Sequence, residues 1–189
     1  DGLLDMKNEY ERFNIQSNVD VKVSDRLTIG TNAIFSNATK YNPENGAWFQ
    51  AYFAVPILPK YDEANSAATP IPFSDATLLG YRGAQNPSPS MTYNNNQLKI
   101  KKILASAYIA YDIVPDKLKF KTSYSHDYST ISERNVRLPF FISDRSQREV
   151  SSITRSNSTY STQFWDNTLT YSDKFNDHGF TLLAGSSFG

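Results

Sequence analysis

Apolar and polar side chains alternate with a period of two in three long stretches of the chain, each interrupted by a short turn. In the first stretch the odd positions from Phe13 to Val23 are mostly apolar, and the even positions are polar. These polar positions are Arg12, Asn14, Gln16, Asn18, Asp20 and Lys22. Because successive side chains of a β-strand point to opposite faces of its sheet, the pattern predicts β-hairpins with one apolar and one polar face.

The second hairpin repeats the first. Residues 24–31 match residues 115–122 in turn chemistry, order of charges and side-chain alternation. The third turn, at residues 176–179, carries Asn, Asp and Gly, which are favoured in tight turns. The chain is therefore predicted to be all-β, with about six antiparallel strands in three hairpins.

The length of the alternating runs distinguishes two kinds of antiparallel sheet. Strands in soluble proteins usually have about five or six residues, whereas a strand that crosses a bilayer needs roughly nine to eleven. The runs 10–23, 98–114 and 118–138 are longer than either. Short turns also alternate with two long polar connections, 41–97 and 139–156. This arrangement is typical of an outer-membrane β-barrel wall, with short periplasmic turns and long extracellular loops.

The composition agrees with a multi-pass barrel and excludes several other classes. Hydrophobic residues make up 39% of the chain, and no stretch approaches the roughly 18 apolar residues of a membrane helix. The chain has no cysteine and a formal net charge of zero, which excludes thiol chemistry and argues against a nucleic-acid-binding surface. Aromatic residues around the third turn, expected to form part of an interfacial belt, are Trp165, Tyr171, Phe175 and Phe180.

Residues suited to catalysis are few. The histidines are His126 and His178, and His126 stands between Ser125 and Asp127 in a predicted strand. Its side chain therefore points away from both neighbours, and no catalytic relay forms. Two isolated histidines also make a poor metal site. We expect no enzymatic activity, no metal and no cofactor.

A sheet of about six strands is too small to close into a barrel, because small barrels need about eight strands and large transporters have about 22. Left open in lipid, it would have two edges of unsatisfied backbone groups, each costing several kcal/mol. No signal peptide precedes the first strand. Residues 1–189 are therefore expected to be a segment of a larger barrel domain.

Several motifs follow one another along nearly the whole chain. They are Tyr10–Asp20, Leu27–Asn32, Ile57–Glu63, Asn86-Pro87, Trp165–Tyr171 and Phe180–Gly185. In order and spacing they resemble the SusC/RagA family of TonB-dependent outer-membrane transporters of Bacteroidetes. The resemblance implies a barrel of about 22 strands that imports oligosaccharides, or peptides, captured by a SusD-like lipoprotein. It also implies an N-terminal plug and a TonB box that contacts TonB, both absent from this sequence.

The loop 41–97 is the main candidate for binding, because long loops on a rigid scaffold are usually functional. Aromatic residues at near-helical spacing predict a short helix over 47–55. Their side chains either pack against protein or stack on sugar rings of a substrate. The candidate substrate-binding residues are Trp48, Phe49, Tyr52, Phe53, Tyr61 and Tyr81.

Charged and polar side chains suggest two further surfaces. The polar positions of the first strand are expected to face the lumen, where they hydrogen-bond passing substrate or only water and plug. Lys99, Lys101 and Arg134 share the parity of the apolar face near the extracellular rim. They are expected to meet either solvent or the phosphates of lipopolysaccharide, since cations are tolerated near the membrane interface.

Two alternatives remain open from the residues. The first is a different TonB-dependent receptor, for oligopeptides or iron chelates. The second is a soluble β-sandwich adhesin or carbohydrate-binding module, in which the apolar faces would meet in a core. Four side chains distinguish the soluble sandwich from a membrane barrel wall. A sandwich buries Val19, Val21, Ile109 and Phe120 in its core, whereas a barrel wall leaves them uncovered by protein.

Overall fold

The computed structural model describes residues 8–42, 45–81 and 85–189, without the side chain of Asn45. The start of the chain and parts of the predicted loop 41–97, at 43–44 and 82–84, lie outside the described residues. The described elements in chain order are β1 (Tyr10–Lys22), β2 (Leu27–Asn42), α1 (Asn45–Tyr52), α2 (Ser88–Thr92), β3 (Asn94–Val114), β4 (Leu118–Arg137), β5 (Phe140–Ser143), β6 (Ser146–Arg148), β7 (Ser152–Phe175) and β8 (His178–Phe188).

The long strands form one antiparallel six-stranded sheet with the order β1-β2-β3-β4-β7-β8. Strands adjacent in this sheet are also consecutive among the long strands of the chain, so the predicted meander of three hairpins is confirmed. The long strands exceed the length that crosses a bilayer, and two of them extend beyond the predicted runs: β3 has 21 residues and β7 has 24. β3 begins at Asn94, before the predicted start of the run at Leu98.

The three short turns owe their shape to small polar side chains. In the first turn the Ser24 hydroxyl accepts hydrogen bonds from the backbone N–H groups of Arg26 and Leu27. Asp116 and Asn176 in the other turns have φ angles of 60° and 55°. Asp and Asn tolerate this left-handed conformation better than most other residues. The register that follows the third turn runs from the pair Phe175–His178 to the pair Trp165–Phe188.

The chain divides into two units. The sheet unit consists of Arg12–Ala38, Ile100–Thr130 and Ser158–Gly189, and the loop unit consists of Asp1–Glu11, Thr39–Lys99 and Ile131–Asn157. The sheet unit contains most of each long strand together with the three short turns, and the loop unit contains the remaining ends of β1, β2, β3, β4 and β7. The loop unit contains both helices and the small two-stranded sheet of β5 and β6.

The loop unit has a small hydrophobic core. Its buried members are Phe73, Tyr93 and Ile142, against which Ile71 and Phe140 pack. The Phe73 ring lies edge-on to Tyr93, with centroids 6.0 Å apart, and Tyr93 stacks on Phe140 at 5.0 Å. Residues far apart in sequence therefore share one core, and the long connections fold against each other.

The two long connections contain more structure than the sequence predicted. The segment 139–156 was expected to be a loop, but Phe140–Ser143 and Ser146–Arg148 form a hairpin and β7 begins at Ser152. The predicted helix over 47–55 is present at Asn45–Tyr52. The second helix, Ser88–Thr92, was not predicted. Within the described ranges, no helix has the length and apolar content needed to span a membrane.

Candidate functional site

One face of the sheet unit is apolar and uncovered. The side chains of Val19, Val21, Ile109 and Phe120 are between 36% and 51% exposed. A sandwich core would bury them. Near the third turn the Tyr171 and Phe180 rings lie 5.9 Å apart, and Phe175 is exposed. Trp165 is also exposed, but it pairs with Phe188, ten residues before Phe175 along β7. The predicted grouping around this turn therefore includes Tyr171, Phe175 and Phe180, whereas Trp165 lies at the far end of the β7–β8 pairing, and the interfacial belt stays a prediction.

The opposite face of the sheet unit is held by polar contacts across several strands. The Tyr108 hydroxyl donates to Asp20 Oδ1 at 2.6 Å, although β2 lies between their strands. This reach requires Gly30, since a Cβ there would lie 2.1 Å from Tyr108 Cε1. Lys121 Nζ sits 4.4 Å from the centroid of the Tyr108 ring. One aromatic side chain thus links β1, β3 and β4.

The predicted lumen-facing positions all lie exposed on β1, but some already have partners within the chain. Arg12 Nε donates to Asn14 Oδ1 at 2.9 Å and to Ser36 Oγ at 3.1 Å. Lys22 lies 3.8 Å from Asp25, and Asp20 is bound to Tyr108. Gln16 and Asn18 are the members of this set whose side chains have neither a hydrogen bond nor an ion pair with a described residue. The polar groups of these two side chains are therefore not used within the described part of the chain.

His126 and Asp127 have partners on opposite faces of β4. A ring nitrogen of His126 lies 2.9 Å from Ser161 Oγ, and the His126 ring meets Tyr128 at 6.0 Å. Asp127 forms an ion pair with Lys102 at 2.8 Å. The alternation therefore separates the two groups, as the sequence indicated. In the described part of the chain, no cluster of His, Cys, Asp or Glu side chains is suited to hold a metal ion.

Helix α1 of the loop unit carries the predicted aromatic cluster. The side chains of Trp48, Phe49, Tyr52 and Phe53 are between 44% and 83% exposed. The Phe53 ring touches both Phe49, with centroids 4.6 Å apart, and Tyr52 at 5.1 Å. Phe53, which directly follows α1, thus contacts two of the rings, and all four side chains, including Trp48, remain exposed. The cluster therefore presents an aromatic surface to its surroundings.

The other two aromatic candidates are placed differently. Tyr61 stacks on Phe73 with centroids 5.3 Å apart and is still half exposed. The Lys60 ammonium lies 5.4 Å from the Tyr61 ring centroid. Tyr81 is half-buried, and its N–H donates to the Ala76 carbonyl at 2.7 Å. Tyr61 therefore braces the loop core, and the structure does not bring it together with the cluster on α1.

A polar cavity of about 370 Å³ lies within the loop unit, within the size range of small-ligand sites. Its wall draws on α1, α2, the hairpin β5–β6 and the segments before and after them. The lining residues are Gln50, Ser74, Asp75, Ala76, Thr77, Gln85, Asn86, Pro89, Ser90, Phe140, Arg145, Ser146 and Gln147. None of the aromatic candidates predicted from the sequence is among them. Amide and hydroxyl side chains dominate this wall.

Asp75 provides the negative charge of this wall. Its Oδ1 accepts hydrogen bonds from the N–H groups of Thr77, at 2.6 Å, and Leu78, at 3.2 Å, and its Oδ2 accepts one from the Ser143 hydroxyl. Burial raises the pKa of Asp75, but the hydrogen bonds from Ser143 and the two backbone groups outweigh it and hold the pKa below its usual value. The carboxylate is therefore ionised and largely satisfied by its own loop.

The amides of the wall divide into structural and available groups. Asn86 Nδ2 donates to the Lys60 and Ser74 carbonyls at 3.0 and 3.1 Å, and its Oδ1 accepts from the Ser88 N–H. Gln50 Nε2 donates to Gln85 Oε1 at 2.9 Å. Asn86 thus ties the loop together, while the Gln85 Nε2 donates to no described residue.

Sequence reasoning missed the cavity because four separate segments build it. The sequence did contain a local signal for two turns in the wall of the cavity. Asp75 precedes Thr77 and Asn86 precedes Ser88 at the spacing at which Asp and Asn side chains bond backbone two residues on, and both bonds are present. Such turns indicate an ordered loop without indicating which segments meet.

The three cations predicted near the rim differ in environment. Lys99 and Lys101 are exposed. Arg134 is half-buried, and its Nε is buried without a hydrogen-bond partner within the described part of the chain. Their contact with lipopolysaccharide phosphates stays a prediction.

The chain is similar to a TonB-dependent receptor. It is 25% identical over 198 aligned residues to the TonB-dependent receptor P3 of Formosa agariphila, an alignment that covers all of this chain and 19% of that protein. No family model matches the chain. The chain thus spans about a fifth of the length of this relative.

Proposed function

We propose that the chain is a wall and loop segment of a TonB-dependent outer-membrane importer. The observation that carries the proposal is the uncovered apolar face of a long-stranded antiparallel meander. Hydrocarbon tails are the natural cover for such a face, because an exposed apolar surface of this extent is costly in water. The similarity to a TonB-dependent receptor supports the same assignment. The short turns are then periplasmic, and the loop unit is extracellular.

The importer is proposed to be SusC-like and to carry oligosaccharides, with oligopeptides or iron chelates as the alternative cargo. The motifs given above support the SusC/RagA assignment. A SusD-like lipoprotein is the proposed partner at the extracellular side, and TonB acts through a plug and TonB box supplied by the rest of the polypeptide. In this arrangement the aromatic cluster on α1 meets either the lipoprotein or the sugar rings of the cargo. Lys99 and Lys101 lie at the level of lipopolysaccharide.

A pair of neighbouring substitutions tests the membrane-facing surface. Val19→Arg places a cation on the apolar face of β1, whereas Asn18→Arg places it on the polar face one residue away. An arginine facing lipid costs about 2–4 kcal/mol near the bilayer midplane. We expect the full-length protein with Val19→Arg to assemble poorly in the outer membrane, and the Asn18→Arg protein to assemble normally. The measurement is the amount of folded, heat-modifiable protein in outer-membrane fractions.

Equal assembly of these two variants contradicts the assignment of the faces. The transport step needs a separate measurement, which is uptake of labelled oligosaccharide by cells with and without TonB. Uptake that persists without TonB, at the rate of the intact strain, rules out the proposed energy coupling.

A further inference from the structure

The cavity of the loop unit has an uneven supply of hydrogen-bonding groups. Its one acidic side chain, Asp75, already accepts three hydrogen bonds from Thr77, Leu78 and Ser143. A carboxylate has about four acceptor positions in all. Asp75 is also only 7% exposed. The negative charge of the wall is therefore compensated from inside the loop and is a weak partner for a ligand.

Several hydrogen-bond donors of the cavity wall, in contrast, have no partner in the described part of the chain. Arg145 is exposed and makes no hydrogen bond or ion pair with any described residue, so all five of its N–H groups remain available. Gln85 Nε2 also has no acceptor in the described part of the chain, and Gln147 Nε2 uses one hydrogen on the Asp144 carbonyl at 3.3 Å. The accessible charge is positive, and Gln85 and Gln147 add neutral donors to the same wall.

One acceptor in the wall also lacks a partner. Gln50 lines the cavity, and its Oε1 is buried without a hydrogen bond in the described part of the chain. Buried polar groups are nearly always paired in native proteins. The Gln147 amide oxygen and the Ser90 and Ser146 hydroxyls also line the cavity and accept no hydrogen bond from a described residue, so they can accept one from a ligand hydroxyl. The wall therefore matches a small ligand that combines an anionic group with hydroxyl groups.

We infer that this cavity binds the oxyanion end of a small hydroxylated ligand, with Arg145 as the charged contact and Gln85 and Gln147 as additional donors. A carboxylate, a sulfate and a phosphate share the required chemistry. The planar fork of arginine suits all three, because it can donate two parallel hydrogen bonds to adjacent oxygens. Binding of this ligand does not depend on the proposed import function. Only its role, as the transported substrate or as a part of that substrate, rests on the proposed function.

The test measures binding to the full-length protein in detergent by calorimetry, with glucuronate, glucose 6-phosphate and glucose as the probes. We expect glucuronate or glucose 6-phosphate to bind at least about tenfold more tightly than neutral glucose, as befits a charge-assisted hydrogen bond. Which of the two anions binds better identifies the carboxylate or the phosphate as the preferred group. Equal binding of glucose and both anions overturns the inference.

Two arginine variants provide the matched comparison. Arg145→Gln removes the charge from the cavity wall, and Arg155→Gln removes an exposed charge of β7 that does not line the cavity. We expect the first variant to bind the anions about as weakly as glucose, and the second to retain the parent affinity. Retained affinity in Arg145→Gln, or an equal loss in Arg155→Gln, overturns the assignment of Arg145.

The result also separates this inference from the proposed import function. Anion binding in the purified protein that is lost in Arg145→Gln establishes the cavity even if cells show no TonB-dependent uptake. TonB-dependent uptake that is unchanged in Arg145→Gln, together with unchanged anion binding, overturns the cavity and leaves the import function standing.

Discussion

Replacing Phe73 by alanine tests whether the loop unit is held by its small core. The Phe73 side chain is 1% exposed, stacks on Tyr61 and lies edge-on to Tyr93. Since the core has few buried members, the void left by this ring has little neighbouring structure to fill it. The change removes both ring contacts and a full side chain of buried apolar surface.

The expected cost follows from measured truncations of buried aromatic residues, which destabilise by about 3–5 kcal/mol. Each 1.4 kcal/mol corresponds to a factor of ten in an equilibrium constant. Opening of the loop unit should therefore become more frequent by a factor of about one hundred to a few thousand. For a loop unit of limited stability, this loss approaches complete local unfolding.

Hydrogen exchange of backbone amides in the full-length protein measures this opening. The diagnostic amides are those of Thr69 and Phe141, each of which donates to the other's carbonyl, at 2.8 and 2.9 Å. Their exchange should accelerate by the factor given above. Amides paired between β7 and β8 in the sheet unit serve as the internal reference and should keep the parent rate.

The matched control is Phe49→Ala, which removes the same ring from the exposed surface of α1 in the same unit. This variant should leave the exchange of Thr69 and Phe141 within a few-fold of the parent. Equal exchange of these two amides in the parent and in Phe73→Ala would refute the view that this core holds the loop unit together.

Three further predictions concern single sites. Gly30→Val should displace the Tyr108 ring, because even a Cβ at this position lies 2.1 Å from Tyr108 Cε1. The measurement is the yield of assembled protein, which should be lower than for the control Asn32→Val at an exposed position. Equal yields of the two variants contradict the prediction. Acid should loosen the loop around Asp75. Folding lowers the pKa of this carboxyl, so its charge stabilises the folded state above the unfolded pKa of about 3.9, and the stabilisation is lost as the pH falls through the lowered folded value. Exchange of the Thr77 amide should rise over that acidic range in the parent, and the rise should be absent in Asp75→Asn. Trp48→Ala should weaken substrate binding by the assembled transporter if the α1 cluster contacts cargo; unchanged affinity with intact assembly excludes direct contact by Trp48.

The sheet was predictable because its signals are local and repeated. The alternation from Phe13 to Val23 fixes which side chains share a face, and the polar turns fix where the chain reverses. The long runs then placed both ends of β1 and β4 to within one residue, and the end but not the start of β3. The polar set of β1 stays a prediction as a lumen-facing surface, and the sequence carried no sign that Asp20 and Arg12 would already be bound within the sheet.

The loop unit was much less predictable, because its order comes from contacts between distant residues. The apolar run at Phe140, Phe141 and Ile142 is too short to indicate a strand by periodicity. Its partner in the core, Phe73, lies in a different connection. The cavity has the same origin: Gln50 and Gln147 are separated by nearly a hundred positions, and no local pattern links them.

The contact between Tyr108 and Asp20 also bears on how the strands of the sheet are aligned. The ring has to extend over Gly30, so the hydroxyl finds its acceptor only when β1, β2 and β3 are all aligned. A slip of one residue in β3 would turn Tyr108 to the other face of the sheet and leave Asp20 without this donor. The Tyr108–Asp20 hydrogen bond therefore forms only when three strands are correctly aligned, so it favours the native register over a slipped one while the sheet forms.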